Sequence, residues 1–240
     1  MSSITDVYSP RTTFRCTRLR GAKVGSSVCQ FCAVGCSQLG FFKDGKLIDV
    51  EGDPRSAVNE GRLCPKGSST YALNENPYRK VKPMYRAPGS DHWEEVSLDW
   101  MLDTVAKRIW DTRNKGFVEK DPTTGITVNN CANIGFIGGS ANDNEECYLF
   151  RKLFTGGLGI LPVENSARYC HSTTVAALSP TFGFGACTNP PRDLLNSDCI
   201  LIMGSNMAEA HPCAFYWPMQ AKKKGAVTIH VDPRYTRTSA

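Results

Sequence analysis

Four cysteines form the clearest chemical pattern in this sequence. Cys29, Cys32 and Cys36 fall within eight residues, and Cys64 stands further along in the segment Cys64-Pro65-Lys66-Gly67. A [4Fe-4S] cluster takes one thiolate per iron, so a short three-cysteine loop with a distant Cys-Pro suits it. Zinc and disulfides remain alternatives, although Cys64 has no Cys or His neighbour to complete a second zinc knuckle. The spacing predicts an iron–sulfur cluster.

A second candidate site is the segment Arg168-Tyr169-Cys170-His171. Cys170 follows a predicted strand at 161–164 and precedes a run of small residues. That order predicts a strand-to-helix turn, where amide dipoles favour a thiolate, and Arg168 and His171 add positive character. From the residues alone, a small apolar role for Cys170 and an ordinary surface or core role for His171 stay open beside a reactive or metal-bound thiol.

The third candidate is a βαβ unit near the end of the sequence. Its first strand, at 199–203, runs into Gly204-Ser205-Asn206, and its second, at 226–231, runs into Asp232-Pro233-Arg234. Ligands of parallel sheets bind beyond the carboxyl ends of the strands, and small residues there let backbone amides approach a pyrophosphate. Asp232 has about the spacing of a ribose- or base-binding carboxylate, but the full GxGxxG pattern of NAD proteins is absent. A turn without a ligand remains an alternative.

Two predicted hairpin strands must position the cysteines. Asp44-Gly45 separates apolar runs at 40–43 and 46–50 and is a strong two-residue turn signal, because both positions accept a positive φ. Residues 51–54 then turn the chain toward Cys64. We expect a small β-rich domain in which the fourth cysteine returns beside the first three.

Alternating helices and strands are predicted after this domain. Ser97 is a plausible N-cap, and the helix behind it carries one apolar face that we expect to be core. A buried strand at 133–137, a helix at 142–154 and a helix over about 208–224 follow. Such alternation predicts a parallel sheet with right-handed crossovers. The apolar face consists of Leu98, Met101, Leu102, Val105, Ala106 and Ile109.

The predicted fold class is therefore α/β. A small β-rich cluster domain precedes a partial αβα, Rossmann-like domain with a parallel sheet. The predicted boundaries are an amino-terminal extension at 1–26, the cluster domain at 27–76, a Pro- and Gly-containing linker at 77–96 and the incomplete α/β domain at 97–240.

Composition excludes several classes of protein. The 240 residues are 41% hydrophobic with a net charge of +5, and no apolar run approaches the ~20 residues of a membrane span. The basic residues are scattered apart from 222–224, so nucleic acid is not an expected partner. An odd number of cysteines, eleven, indicates reduced thiols. The first 28 residues lack a signal-peptide core, which predicts a cytoplasmic location, or a periplasmic one if a signal stands upstream of Met1.

Together these motifs resemble the amino-terminal part of the formate dehydrogenase catalytic subunit, in the molybdopterin oxidoreductase (dimethyl sulfoxide reductase) superfamily. The resemblance runs from about Ser27 to the end and includes Tyr85-Arg86-Ala87-Pro88-Gly89-Ser90 and Ala208-Glu209-Ala210-His211-Pro212. It also includes Val231-Asp232-Pro233-Arg234-Tyr235-Thr236-Arg237-Thr238. His171 favours formate over nitrate, since similar nitrate reductases typically place another residue after the metal-binding Cys.

The resemblance implies a role for each candidate residue. Cys29, Cys32, Cys36 and Cys64 would bind the [4Fe-4S] cluster, and Cys170 would bind molybdenum or tungsten held by bis(molybdopterin guanine dinucleotide). His171 would handle the proton, and Lys66 would relay electrons between pterin and cluster. One molybdopterin guanine dinucleotide would be lined by Gly204, Ser205, Asn206, Glu209, Asp232 and Arg234.

The implied activity is the oxidation of formate to carbon dioxide, or the reverse, with electrons leaving through the cluster. The expected partners are the remaining part of the catalytic subunit, without which we expect little turnover, and an iron–sulfur electron-transfer subunit. The alternatives are an electron-transfer module without its own catalysis and a nitrate reductase-like oxidoreductase.

Overall fold

The computed structural model describes residues 18–240, so most of the expected extension at 1–26 lies outside the described residues. The strands are β1 (Lys23–Val28), β2 (Ser37–Lys43), β3 (Lys46–Gly52), β4 (Met84–Tyr85), β5 (Glu94–Glu95), β6 (Phe117–Lys120), β7 (Thr127–Cys131), β8 (Phe136–Ile137), β9 (Val163–Glu164), β10 (Cys199–Met203) and β11 (Val227–Val231). The α-helices are α1 (Pro65–Ser68), α2 (Thr70–Asn74), α3 (Leu98–Gly116), α4 (Asn144–Arg151), α5 (Ser166–Tyr169), α6 (Ser172–Phe182), α7 (Met207–Ala210) and α8 (Pro212–Lys223). A π-helix spans Lys152–Gly157 and a 3₁₀ helix spans Pro191–Asn196.

These elements form two compact units. One contains the described residues up to Arg79 together with Cys187–Ala240, and the other contains Lys80–Ala186. The domain boundaries expected from the sequence stay a prediction.

An antiparallel sheet in the order β1-β2-β3 forms the base of the first unit. Leu39 and Phe41 on β2 are fully buried and pack with Leu19 and Val24. The turn between β2 and β3 is Asp44-Gly45, with φ of 50° and 78°. The predicted hairpin is confirmed, because an Asp-Gly pair accepts two successive positive φ angles at low cost.

Parallel pairing occurs twice, but in separate places. Strands β10 and β11 pair in parallel in the first unit, and β8 and β9 pair in parallel in the second. The described residues form separate small sheets rather than the single parallel sheet that the sequence predicted. The predicted buried strand at 133–137 is reduced to Phe136–Ile137, because a turn follows the buried end of β7 at Cys131.

The helix predicted over 208–224 is interrupted at His211. Pro212 cannot donate a backbone hydrogen bond and disfavours helical geometry in the residue before it. His211 accordingly has φ −134° and ψ 55°, and α7 ends there while α8 begins at Pro212. Helix α8 packs against the 3₁₀ helix, and Ala221 on α8 joins Ile200 and Ile202 of β10 in a second small core.

Helix α3 begins as the sequence predicts, with the Ser97 hydroxyl accepting a hydrogen bond from Trp100 N. Its apolar face is not core, however. Leu98 and Leu102 are 56% and 53% exposed, and no residue of α3 is buried. The expectation of an ordinary core face is wrong because no described element covers that face.

At the end of β3, the backbone of Gly61 lies so close to Gly52 that a side chain at Gly52 has no room. A Cβ at Gly52 would stand 2.4 Å from the carbonyl oxygen of Gly61, whereas a Cβ at Gly25 would meet only a Phe42 ring carbon at 3.4 Å. Gly52→Ala should therefore destabilise the protein by about 1–3 kcal/mol, since backbone atoms cannot move away as a flexible side chain does. Gly25→Ala is the matched control. Urea unfolding followed by circular dichroism measures both, and equal stability of the two variants would contradict the packing argument.

Candidate metal-cluster site

The loop between β1 and β2 places three cysteines, Cys29, Cys32 and Cys36, around one small cavity. Cys29 N donates to Cys36 O at 2.8 Å, which closes the loop, and Gly35 with φ 67° allows the chain to reverse before β2. Cys29 and Cys36 are buried and Cys32 is half-buried. The loop therefore presents three thiols from eight consecutive residues, as the spacing predicts.

Asn59 brings the fourth cysteine to this loop. Its side chain is 1% exposed, and its Oδ1 accepts from Ser37 N at 3.0 Å. Its Nδ2 donates to Ser37 O at 3.1 Å and to Arg62 O at 2.8 Å. One buried amide thus joins the start of β2 to the segment that ends in Cys64. Asn59 was not among the predicted site residues, because a single Asn in a polar loop carries no sequence pattern.

The residues after Cys64 are fixed by a second buried amide. Cys64 is the N-cap of α1, with Pro65 at the first helical position. Gln38, which is 2% exposed, donates from Nε2 to Gly67 O at 2.8 Å and to Thr70 Oγ1 at 3.1 Å. The direction of the chain beyond Cys64 is therefore set from β2, the strand that follows the other three cysteines.

All four predicted ligands line one small cavity, as the sequence predicts. The cavity is lined by Cys29, Phe31, Cys32, Val34, Cys36, Leu63, Cys64, Gly67, Pro212 and Cys213. This set fits a [4Fe-4S] cluster, which needs four thiolates at its corners and an apolar surround. No three metal-binding side chains in residues 18–240 converge as they would around a single ion. A cluster holds its ligands farther apart than one ion does.

Burial controls the thiol chemistry inside this cavity. Burial first, and then the charge of Cys213 and a hydrogen bond with it, raise the pKa of Cys36 to about 12. Burial likewise raises the pKa of Cys213. In this apolar space a thiolate is costly until a metal compensates its charge, so metal binding must release protons.

Lys66, on α1 two residues after Cys64, contacts α7. Its Nζ donates to Glu209 O at 3.1 Å, and the side chain is half-buried. The structure therefore places Lys66 between the cysteine cavity and one of the segments predicted to bind a pterin. This contact joins two positions that lie 143 residues apart in the sequence.

The predicted pterin residues lie at one edge of the β10–β11 pair. Gly204 follows β10 with φ 61° and open space where a Cβ would stand, and its N–H donates to Val231 O at 2.8 Å. Ser205 O and the His230 ring lie 3.2 Å apart. Asn206 Oδ1 accepts from Thr238 Oγ1 at 3.1 Å, and its amide donates to the Glu209 carboxylate. The turns after both strands therefore meet, as parallel pairing requires.

A basic cleft opens beside this edge. Its volume is about 540 Å³, and Asp232, Arg234, Arg237 and Lys222 contribute charged groups to it. Asp232 Oδ1 accepts from Arg234 N at 2.8 Å, so the two predicted residues fix the turn after β11. The hydroxyl of Thr228, also in the cleft wall, is buried without a hydrogen-bond partner. Such a donor set and an unpaired hydroxyl fit a phosphate-containing ligand.

Cys170 is exposed, and the turn around it differs from the prediction. After β9 the chain makes the short helix α5, and Cys170 is its C-cap, two residues before α6 begins. The predicted strand-to-helix turn thus contains an extra helical turn. Arg168 pairs with Glu164 at 3.1 Å rather than with Cys170. His171 is exposed at the N-cap of α6 with no side-chain cap bond.

The second unit contains a large cavity that was not predicted from the sequence. Its volume is about 570 Å³, and it lies at the carboxyl ends of β8 and β9 with α6 on another side. Gly138 and Gly139, directly after β8, are the small-residue signal that could have revealed it. Arg168 and Ser172, on either side of Cys170 in the sequence, lie in its wall.

Comparisons with known proteins agree with this geometry. The Fe4S4 domain model of molybdopterin oxidoreductases matches residues 22–76, which contain all four cysteines of the cavity. The molybdopterin oxidoreductase model matches residues 79–240. The chain belongs to the molybdopterin oxidoreductase family. Its domain matches support a [4Fe-4S] cluster and a molybdopterin-type cofactor.

The chain is similar to the alpha or major subunits of several named formate dehydrogenases. The chain is 53% identical to the formate dehydrogenase subunit alpha of Megalodesulfovibrio gigas over 220 residues, covering 91% of this chain and 22% of that protein. It is 42% identical to the formate dehydrogenase-O major subunit of Escherichia coli, covering 89% and 22%. It is 32% identical to the F420-dependent formate dehydrogenase subunit alpha of Methanocaldococcus jannaschii, covering 90% and 29%. The chain thus spans less than a third of the length of these relatives.

The raised pKa of Cys36 generates the second prediction. In metal-free protein, the thiolate fraction of Cys36 should rise about tenfold per pH unit until the pH nears 12, because its pKa is about 12. A model peptide thiol, with a pKa of about 8.5, levels off above pH 9. Alkylation by iodoacetamide between pH 8 and pH 11, mapped to Cys36 by mass spectrometry, measures the slope. A Cys36 rate that levels off together with the model peptide would contradict burial as the cause.

Proposed function

We propose that this chain forms the amino-terminal part of a molybdenum- or tungsten-dependent formate dehydrogenase. The observation that carries the proposal is the cysteine cavity joined through Lys66 to the β10–β11 edge. An electron-transfer group and a pterin-binding edge in one unit are what a redox enzyme needs. Formate is proposed as the substrate because the relatives described above carry formate dehydrogenase names.

Cofactor binding follows from the donor sets. We assign the [4Fe-4S] cluster to Cys29, Cys32, Cys36 and Cys64, since these four thiols line one cavity. The finer identity of the second cofactor, a bis(molybdopterin guanine dinucleotide), is part of the proposal. A dinucleotide suits the basic cleft, where Asp232 can accept from a base and Arg234 can bind a phosphate. The wider αβα arrangement belongs to the same proposal.

A bound molybdenum or tungsten ion would supply two-electron chemistry, because a metal with soft sulfur ligands can accept an electron pair and release the electrons singly. Cys170, exposed beside the start of α6, would provide the protein's sulfur ligand. His171, adjacent to it and without a capping bond, is free to take up the proton lost by formate. Lys66 lies on the route from the pterin edge to the cluster.

The expected partners and location are part of the proposal as well. The remaining part of the catalytic subunit would complete the substrate pocket, and an iron–sulfur subunit would accept the electrons. No helix in residues 18–240 is long and apolar enough to cross a membrane. Location in the cytoplasm is proposed, with the periplasm as the alternative.

Formate oxidation by the assembled enzyme tests this function, with a viologen dye as electron acceptor under anaerobic conditions. Wild type should oxidise formate with the oxidised dye as acceptor, and with the reduced dye as electron donor it should not reduce nitrate at a comparable rate. Cys170→Ser should lower formate turnover more than about a hundredfold, because a hard hydroxyl replaces a soft thiolate next to the metal. Cys187→Ser, another exposed cysteine, is the matched control and should retain turnover. Faster nitrate than formate turnover, or full activity of Cys170→Ser, would contradict the proposal.

Lys66 generates a further prediction about electron transfer. Lys66→Ala removes the charged hydrogen bond to Glu209 O and should slow cluster reduction by formate about tenfold, which corresponds to about 1.4 kcal/mol. Lys66→Arg keeps the charge and should lose less. Stopped-flow absorbance of the cluster measures the rate, and iron content confirms that the cluster is intact. An unchanged rate in Lys66→Ala would remove the assigned role.

A further inference from the structure

A fifth cysteine, Cys213, lines the cluster cavity and is buried. Cys213 is 6% exposed and packs directly with Cys29 and Cys36, away from the cysteine motif in the sequence. The four motif cysteines already supply one thiolate for each iron of a [4Fe-4S] cluster. Cys213 therefore contacts the proposed ligands, but the cluster does not require it as a ligand.

The hydrogen bonds of Cys213 are weak enough to rearrange. Its Sγ donates to Arg62 O at 3.7 Å, and that carbonyl already accepts from Asn59 Nδ2 at 2.8 Å. Cys213 also packs against Cys36, and both side chains line the same cavity. Once Cys36 gives up its proton to bind iron, its sulfur can only accept. The remaining proton donor of this pair is then the Cys213 thiol.

The backbone at Cys213 adds to this donor character. Cys213 is the second residue of α8, a helix of 12 residues whose first residue is Pro212. The first amides of a helix have no acceptor within the helix, and its amino-terminal end carries a partial positive charge. Pro212 and Cys213 both line the cavity, so this end of α8 lies at the cluster site.

We propose that Cys213 is a positioning residue for the cluster: its neutral thiol donates a hydrogen bond to the iron-bound sulfur of Cys36 and raises the reduction potential of the cluster. The proposal rests on the proposed function, since it requires the cluster. Reduction adds an electron to an already anionic group, so a donor to a ligand sulfur stabilises the reduced state more than the oxidised state. Cys213 thereby makes the cluster a better acceptor for electrons from the pterin.

A redox titration of anaerobically purified, cluster-containing protein tests this role. The reduction potential is read from the electron paramagnetic resonance signal of the reduced cluster. Cys213→Ala should keep the iron and sulfide content of wild type but shift the potential to a lower value. Cys213→Ser keeps a hydroxyl donor and should fall between the two. Cys199→Ala, which removes an exposed thiol outside the cavity, should match wild type.

Three results would overturn the proposal, each in a different way. A Cys213→Ala potential equal to that of wild type would show that the thiol does not donate to the cluster. Loss of iron from Cys213→Ala together with its retention in Cys36→Ser would make Cys213 a ligand in place of Cys36. Wild-type protein without iron and sulfide would overturn the proposed cluster itself, and the tuning role with it.

Discussion

The cluster site depends on the buried side-chain amide of Asn59, which is hydrogen-bonded to the backbone of Ser37 and Arg62. Cys64 is separated from Cys36 by a hairpin and a long loop. Holding the two segments together costs the conformational entropy of that loop, and buried hydrogen bonds between the segments offset this cost. Asn59 satisfies three backbone groups at once, at 2.8–3.1 Å. Trp217 on α8 reinforces the same loop, since its Nε1 donates to Val58 O at 3.0 Å. Arg62 stacks 3.6 Å from the ring centre of Tyr216 beside it.

Local chemistry explains which elements could be predicted. The Asp44-Gly45 hairpin, the Ser97 cap and the parallel β10–β11 pair each depend on neighbouring residues or on one short alternation. The apolar face of α3 shows the opposite case: periodicity reveals a face that must be covered, but not which element covers it. The break at His211 is also local, because Pro212 disfavours helical geometry in the residue before it.

The same distinction applies to the cysteine cavity. The grouping of the four cysteines was predictable, because three of them share a loop and the fourth has a Cys-Pro context. Asn59 and Cys213 were not, because their roles arise from contacts between segments distant in sequence. The surroundings of Cys170 were predictable only in part. Its position near a helix start was predicted from the sequence, whereas the pairing of Arg168 with Glu164 is evident only from the structure. Long-range contacts leave no periodic trace in a single sequence.

Mössbauer spectroscopy of protein prepared anaerobically with ⁵⁷Fe shows whether the four thiols that line one cavity hold a cubane cluster. We expect the spectrum of a diamagnetic [4Fe-4S]²⁺ cluster, with matching amounts of iron and acid-labile sulfide, and loss of that spectrum in Cys64→Ser. A protein that takes up zinc in place of iron, or a Cys64→Ser variant with an unchanged spectrum, would contradict this expectation.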